Sequence, residues 1–370
     1  MQYFQKRYTC KICGVYGTIS YALGICSECI KTKETAINYI EKAHEESRRR
    51  FALPLKPPRS IDGIKCKFCV NECSLSENEI GYCGVRTCKN GRIMNVCGKD
   101  KAIVQCYHDP LPTNCVGDPY CPGGTGIGYP KYSYSKGSEY GYNNLAVFYC
   151  GCSFNCLFCQ NWHHKALAME KKSVLSPKEL ASFVNEKTSC ICFFGGDPTP
   201  QITHAIETSK IALEKNKRIL RICWETNGSM NSAFLKKISD LSMESGGCIK
   251  FDLKAMDEKL NIALCGITNK NTLKNFSLLA ELHKERKEVP FLIASTLLVP
   301  GYVESEEVKA IANFIANLDK TIPYTLLVFH PQFYMSDLPI TSKKVAYECY
   351  HIAKASGLEN VRIGNIHLLS

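Results

Sequence analysis

The stretch YCGCSFNCLFCQNWHH, Tyr149 to His164, carries Cys150, Cys152, Cys156 and Cys159 within ten residues. Cys152, Cys156 and Cys159 form C-x3-C-x2-C. Three thiolates on one short loop can hold three irons of a cubane iron–sulfur cluster, whose sites normally have four cysteines. A fourth iron without a cysteine is open to a small ligand. Cys150 is a conceivable fourth ligand, but strand alternation leaves it at a strand end rather than in the loop, and it reads as a packing thiol. Cys10, Cys13, Cys26 and Cys29 repeat C-x2-C across a hairpin-length spacer, the zinc-ribbon arrangement, with a rubredoxin-like iron site as the alternative. Cys66, Cys69, Cys73 and Cys83 form C-x2-C-x3-C-x9-C, a second set able to hold either an iron–sulfur cluster or a single zinc or iron ion. Cys88, Cys97, Cys106, Cys115 and Cys121 follow no clean motif and are expected to be buried thiols or ligands of an unrecognised site.

These cysteines need a scaffold. The chain has 370 residues, 23 of them cysteine, and a formal net charge of +11. With 45% hydrophobic and 22% charged residues it reads as an ordinary globular protein. No apolar run approaches the roughly 20 residues of a membrane span, and the N-terminus lacks a signal-peptide pattern. A cytoplasmic protein with reduced, metal-binding or catalytic cysteines is expected, rather than a disulfide scaffold. The positive charge suits an anionic partner such as RNA, although much of it lies in the local run SRRRFALPLKPPR.

Four regions separate. Residues 1–31 are the ribbon. Residues 32–59 are a helix, with Ile37, Ile40 and His44 on one face, followed by a Pro-rich linker. Residues 60–143 are a cysteine-rich preface ending in a turn-rich insert. From 144 to 370, apolar runs at 145–151, 190–196, 218–228, 247–254, 291–301 and 323–331 alternate with helical spacing. One predicted helix carries Val308, Ile311, Ala312, Ile315 and Leu318 behind the acidic start ESEEV. Six strands alternating with helices predict an α/β fold with a parallel sheet, a partial (β/α)6 barrel whose chemistry collects at the C-terminal strand ends.

With Phe158 just before its last cysteine, GCSFNCLFCQNW resembles the cluster loop of the radical S-adenosylmethionine (SAM) superfamily. It is similar to the branch containing pyruvate formate-lyase activating enzyme, and closer to the radical SAM proteins of the AmmeMemoRadiSam system. CKFCVNECSLSENEIGYCGVR, FFGGDPTPQ, WETNG, FDLKAMDEKLNIALCGITN, LLVPGYVESEEV, FHP and IGN follow that pattern in order. The resemblance runs over roughly residues 60–370, with unlike sequence near 107–143, and leaves the ribbon outside it.

The resemblance implies that Cys152, Cys156 and Cys159 ligate a [4Fe-4S] cluster whose free iron binds SAM. It implies that Gly195, Gly196 and Asp197 line the methionine end, that Thr226, Asp252 and Lys254 flank SAM, and that His330 lies near the adenosine and substrate, with Lys254 and His330 in catalytic roles. Glu225, Asp252 and Lys254 can equally be a strand-end salt bridge, and His330 before proline can be structural. The sequence departs from the pattern with Asp197 for the usual Glu, Glu225 where Asp is common, and Ser295 where some activating enzymes carry an arginine. The implied activity is hydrogen abstraction from a protein or peptide, driven by a reduced flavodoxin- or ferredoxin-type donor. RNA modification and a non-catalytic metal-binding adaptor are the alternatives. No additional sheet domain for a corrinoid is evident. The 107–143 insert is either a substrate-shaping element or a surface excursion.

Overall fold

The computed structural model describes residues 8–113 and 115–369. Its centre is a nine-stranded sheet. We label the strands β1 (Ala102–Pro110), β2 (Asn143–Tyr149), β3 (Val174–Leu175), β4 (Thr188–Gly195), β5 (Arg221–Thr226), β6 (Ile249–Asp252), β7 (Leu292–Leu298), β8 (Tyr324–Val328) and β9 (Val361–Gly364). Their order is β9-β8-β7-β6-β5-β4-β2-β1-β3. Strands β2 and β4 to β9 are parallel, so there are seven parallel strands where the sequence predicts six. The seventh, VRIG, is too short to stand out as an apolar run. β1 pairs antiparallel with β2, and β3 pairs antiparallel with β1, which extends one edge. Because β1 comes from the preface, the boundary expected at 143/144 cuts through a continuous sheet.

The helices are α1 (Ala36–Arg49), which comes from the N-terminal region, and those that lie between the strands in the chain, α2 (His163–Glu170), α3 (Ile202–Lys215), α4 (Ser232–Ser245), α5 (Glu258–Cys265), α6 (Lys270–His283), α7 (Ser305–Leu318) and α8 (Lys343–Ala355). α7 buries Val308, Ile311, Ala312 and Ile315 as its spacing predicts. Along the strands, Ile191, Phe193, Ile222, Trp224, Ile249 and Phe251 point to the helix side and form the main core. The alternate residues point to the other face. There Phe194 on β4 and Leu327 on β8 line one cavity. Four strand spacings would separate them by about 19 Å in a flat sheet, so the sheet curls into an open barrel with β9 and β3 as free edges.

The insert is no surface excursion. It closes the N-terminal end of the barrel. Arg221, at the start of β5, is 1% exposed and makes a bidentate pair with Glu139 of the insert at 2.8 and 2.6 Å. It also donates to the Tyr132 carbonyl and to Ser189 Oγ. An unpaired guanidinium there would cost several kcal/mol, so the plug and the strand ends require each other.

The region 32–59 is not a loose tether. α1 buries Ile40, Ala43, His44, Ser47 and Arg48, while Ile37 is exposed, so the buried face is rotated from the one expected. Arg48 donates to the Pro54 and Tyr82 carbonyls, which binds the Pro-rich segment to the preface. The ribbon is docked as well. Tyr302 Oη accepts from Ser20 N at 2.9 Å and donates to the Ile25 carbonyl at 3.0 Å. Lys31 pairs with Glu307 of α7 at 2.8 Å. Among the described residues no helix is long and apolar enough to cross a membrane.

Candidate active site

The cluster loop leaves the end of β2 through Gly151, whose φ of +83° suits glycine. It is then held from several sides. Asn155 N and Leu157 N donate to the Cys265 and Leu264 carbonyls at the end of α5. Asn155 Nδ2 donates to His44 Nδ1 at 2.9 Å and to Ser47 Oγ at 2.8 Å, while its Oδ1 accepts from the buried Lys165 Nζ at 2.6 Å. His44 Nε2 faces the Ile262 and Ala263 carbonyls, which fixes Nδ1 as the acceptor. Burial brings His44 down to about 4 and Lys165 down to about 8.

Cys152, Cys156 and Cys159 line one cavity of about 220 Å³ with Gly195, Gly196, Asp197, Thr226, Asp252 and Lys254. The expected residues of four strand ends are therefore brought to one place. His330 is not among them. Phe329 N donates to Thr341 Oγ1 at 2.8 Å, the Phe329 ring enters the core, and His330 is left half-buried with Nδ1 3.5 Å from Gln332 Nε2.

Gly195 and Gly196 have a structural reason for being glycine. A Cβ on Gly196 would fall 2.3 Å from the Gly151 carbonyl, and one on Gly195 would fall 2.5 Å from the Tyr149 carbonyl. Gly196 N and Asp197 N donate to those same two carbonyls, at 2.9 Å to Tyr149 and 3.1 Å to Gly151. The glycine motif is thus bonded to the base of the cluster loop. Asp197 is buried, and its carboxylate accepts from Thr199 N, Thr226 Oγ1 and Asn227 N, so it ties β4 to β5 instead of offering oxygens to a ligand.

Two ion pairs lie on the cavity wall. Lys254 Nζ is 3.0 Å from Asp252 Oδ2, and Ser295 Oγ donates to Asp252 Oδ1 at 2.6 Å. Burial would lower Lys254, but Asp252 and the nearby thiols outweigh it and keep the ammonium charged, while Lys254 and Lys250 hold Asp252 below its usual range against burial. Glu225 pairs with Lys250 at 2.5 Å, not with Lys254, so the single strand-end salt bridge weighed from sequence is two separate pairs.

Lys250, Lys165, Asn155, His44 and Cys265 were not singled out by motif. Cys265 hydrogen-bonds Cys156 and, with Lys254 and Lys165 acting in the same direction, brings that thiol down to about 7 against the effect of burial. Burial pushes Cys159 up to about 11. Cys150 is buried against Val85, Ile103 and Ala168, away from the cavity.

The three cysteine sets differ in spacing. The sulfurs of Cys10, Cys13, Cys26 and Cys29 all lie within 4.8 Å of one another. Tetrahedral ligation of one zinc places sulfurs about 3.8 Å apart, so this set fits a mononuclear ion. Burial opposes ionisation of Cys10, yet backbone N–H donors bring it down to about 6. Cys66, Cys69, Cys73 and Cys83 are electrostatic neighbours, but no three of their sulfurs lie that close together, and the same is true of Cys152, Cys156 and Cys159. Thiolates on separate irons of a polynuclear cluster need no such close approach, and the loop cysteines beside an open cavity fit a cluster with a free coordination position. All 23 cysteines are free thiols.

Residues 146–315 match the sequence profile of the Radical SAM superfamily. That stretch is a radical SAM domain, and the class implies a [4Fe-4S] cluster and SAM. Among relatives, "Uncharacterized protein MJ0674" of Methanocaldococcus jannaschii is 24% identical over 55% of this chain and 58% of its own length. From the same organism MJ1632, provisionally named a glycyl-radical enzyme activating enzyme, is 32% identical over 50% of this chain and 66% of its own length. The chain thus spans between just over half and about two thirds of the length of these two relatives. A crystal structure of a domain of pyruvate-formate lyase-activating enzyme from Bacteroides vulgatus overlaps 47% of this chain and 98% of that chain at 22% identity, with a TM-score of 0.39.

Proposed function

We propose that the protein is an activating-enzyme-like radical SAM enzyme that abstracts hydrogen from a protein or peptide. The observation that carries this reading is the single cavity joining the three loop cysteines to the glycine motif and the Lys254–Asp252 pair. When bound, the cluster and SAM supply a one-electron cleavage that yields methionine and a 5′-deoxyadenosyl radical. Cys152, Cys156 and Cys159 would hold the cluster. Lys254, kept cationic by Asp252 and resting 5.8 Å from the Phe158 ring centroid, offers its ammonium to a ligand carboxylate. The backbone of Gly195 and Gly196 offers acceptors to a ligand ammonium at close approach. Asp197 orients this wall by fixing β4 against β5. The name of MJ1632, a glycyl-radical enzyme activating enzyme, supports a protein substrate, and the one-electron cleavage calls for an external reductant, which we assign to the flavodoxin or ferredoxin type.

One feature favours an RNA substrate as the second reading. A groove of about 690 Å³ between the ribbon and α1 is lined by Tyr21, Tyr39, Lys11, Lys42 and Arg50, rings and cations of the kind single-stranded RNA stacks on, alongside the acidic Glu46 and Asp337. The deciding experiment measures 5′-deoxyadenosine after anaerobic reconstitution and reduction, with host extract treated with protease, nuclease or neither. The Cys152/Cys156/Cys159→Ala protein serves as the blank. Loss of the extract-dependent product after protease is expected. Loss after nuclease instead overturns the protein-substrate reading, and no product above the blank overturns both.

A further inference from the structure

A second group of sulfurs lies deeper in the barrel than the loop cysteines. Cys192 of β4 and Cys223 of β5 are register partners, and Trp224 N donates to the Cys248 carbonyl, which sets Cys248 beside Cys223 on the next strand. Three adjacent parallel strands therefore present a row of cysteines to the barrel interior, a layer that bulky apolar side chains ordinarily fill. The insert adds Cys115 from below. Gly117 lets that chain pass, because a Cβ there would already stand 3.3 Å from Ile293 Cδ1 and 3.5 Å from Cys248 Sγ. Cys115 Sγ donates to Glu225 Oε1 at 3.1 Å, and Glu225 Oε2 pairs with Lys250.

The ligand atoms of Cys115, Cys192 and Glu225 all lie within 4.8 Å of one another. They border a cavity of about 30 Å³, with Cys223 and Cys248 on its wall. That is room for an ion or a water and far too little for a cubane cluster.

We propose that Cys115, Cys192 and Glu225 bind one thiophilic divalent metal ion of the zinc or ferrous-iron class inside the barrel. The charges close. A 2+ ion displaces one proton each from Cys115 and Cys192, the two protons leave to solvent, and the two thiolates neutralise the ion. Glu225 keeps its compensating ammonium in Lys250, with one carboxylate oxygen on Lys250 and the other toward the ion. Two sulfurs with one carboxylate oxygen match the donor preference of such ions and not that of magnesium or calcium. Because Glu225 and Lys250 also line the upper cavity, the ion would sit directly beneath the candidate active site. The proposal does not depend on the reaction that site performs.

The test uses the full chain with its iron–sulfur content in place and the ribbon site removed by Cys10→Ser/Cys13→Ser, titrated with Co²⁺ as a spectroscopic probe. One equivalent of cobalt with thiolate charge-transfer absorption is expected, and adding Cys115→Ser/Cys192→Ser should abolish it. If that variant fails to fold, Glu225→Gln in the ribbon-less chain takes its place, with an expected weakening of cobalt binding of at least tenfold. The proposal is overturned if the ribbon-less chain takes up no cobalt, or if a folded Cys115/Cys192 variant or the Glu225→Gln variant binds it undiminished. A Cys115–Cys192 disulfide in the intact mass of the anaerobically isolated protein overturns it too.

Discussion

The carboxylate of Asp197 lies 2.7 Å from the backbone nitrogen of Asn227, and this bond joins the glycine motif after β4 to the turn after β5. The same carboxylate accepts from Thr226 Oγ1 and Thr199 N. Asp197→Asn replaces one acceptor oxygen with a donor facing these donors, at an expected cost of about 2–3 kcal/mol. A lowered urea midpoint with an unchanged slope would agree with this, and an unaltered midpoint would refute it.

Lys254→Met should lower 5′-deoxyadenosine formation by at least about tenfold, about 1.4 kcal/mol of barrier, while iron per chain stays constant. Asp252→Asn should act in the same direction but less, since Ser295 still bonds the remaining carbonyl. Iron content and turnover measured on one preparation separate ligand binding from cluster loss.

Gly196→Ala sets a methyl group against the Gly151 carbonyl and must displace the cluster loop. Iron incorporation at the cluster loop should fall several-fold while Co²⁺ uptake by the ribbon cysteines is unchanged. Unchanged iron would mean that the loop yields without cost.

Acid should weaken the fold through its buried histidines. Burial holds His44 and His204 down to about 4, against an ordinary value near 6.5. The unfolded chain binds these protons first, so each residue's contribution is complete above about pH 6.5 and is lost as pH falls to about 4. The loss is about 3 kcal/mol per residue at most. Denaturation midpoints across this window should decline, and His44→Gln should flatten the decline.

Tyr302→Phe leaves Ser20 N and the Ile25 carbonyl without their shared hydroxyl. A cost of about 1–3 kcal/mol is expected, with faster proteolysis between the ribbon and α1. Limited digestion at matched temperature below the main transition tests it.

Local chemistry was legible in the sequence where it is local in the chain. The C-x2-C and C-x3-C-x2-C spacings fix which sulfurs can share a ligand, and the apolar runs mark six strands because a parallel strand is buried on both faces. What was not legible depends on distant pairings. Lys250 finds Glu225 only because β5 and β6 are neighbours, and Asn155 joins α1 to the cluster loop through residues 111 positions away at His44. Ile37 was misplaced because periodicity gives the apolar stripe and not the orientation of the helix against its neighbour. The resemblance places His330 near the adenosine and substrate, and the bond from Phe329 to Thr341 holds it outside the lining of the cavity at the cluster loop. The insert lacks any periodic signal, and only Arg221 reveals that its Glu139 belongs under the barrel.

That insert gives the barrel a stopper. Val116 reaches the underside of the cavity above it, and the Glu225–Lys250 pair lies across the same level. A vessel stoppered at its base is served from above. The base offers no passage, so a molecule held in the cavity comes and goes past the cluster loop and the strand ends that line it.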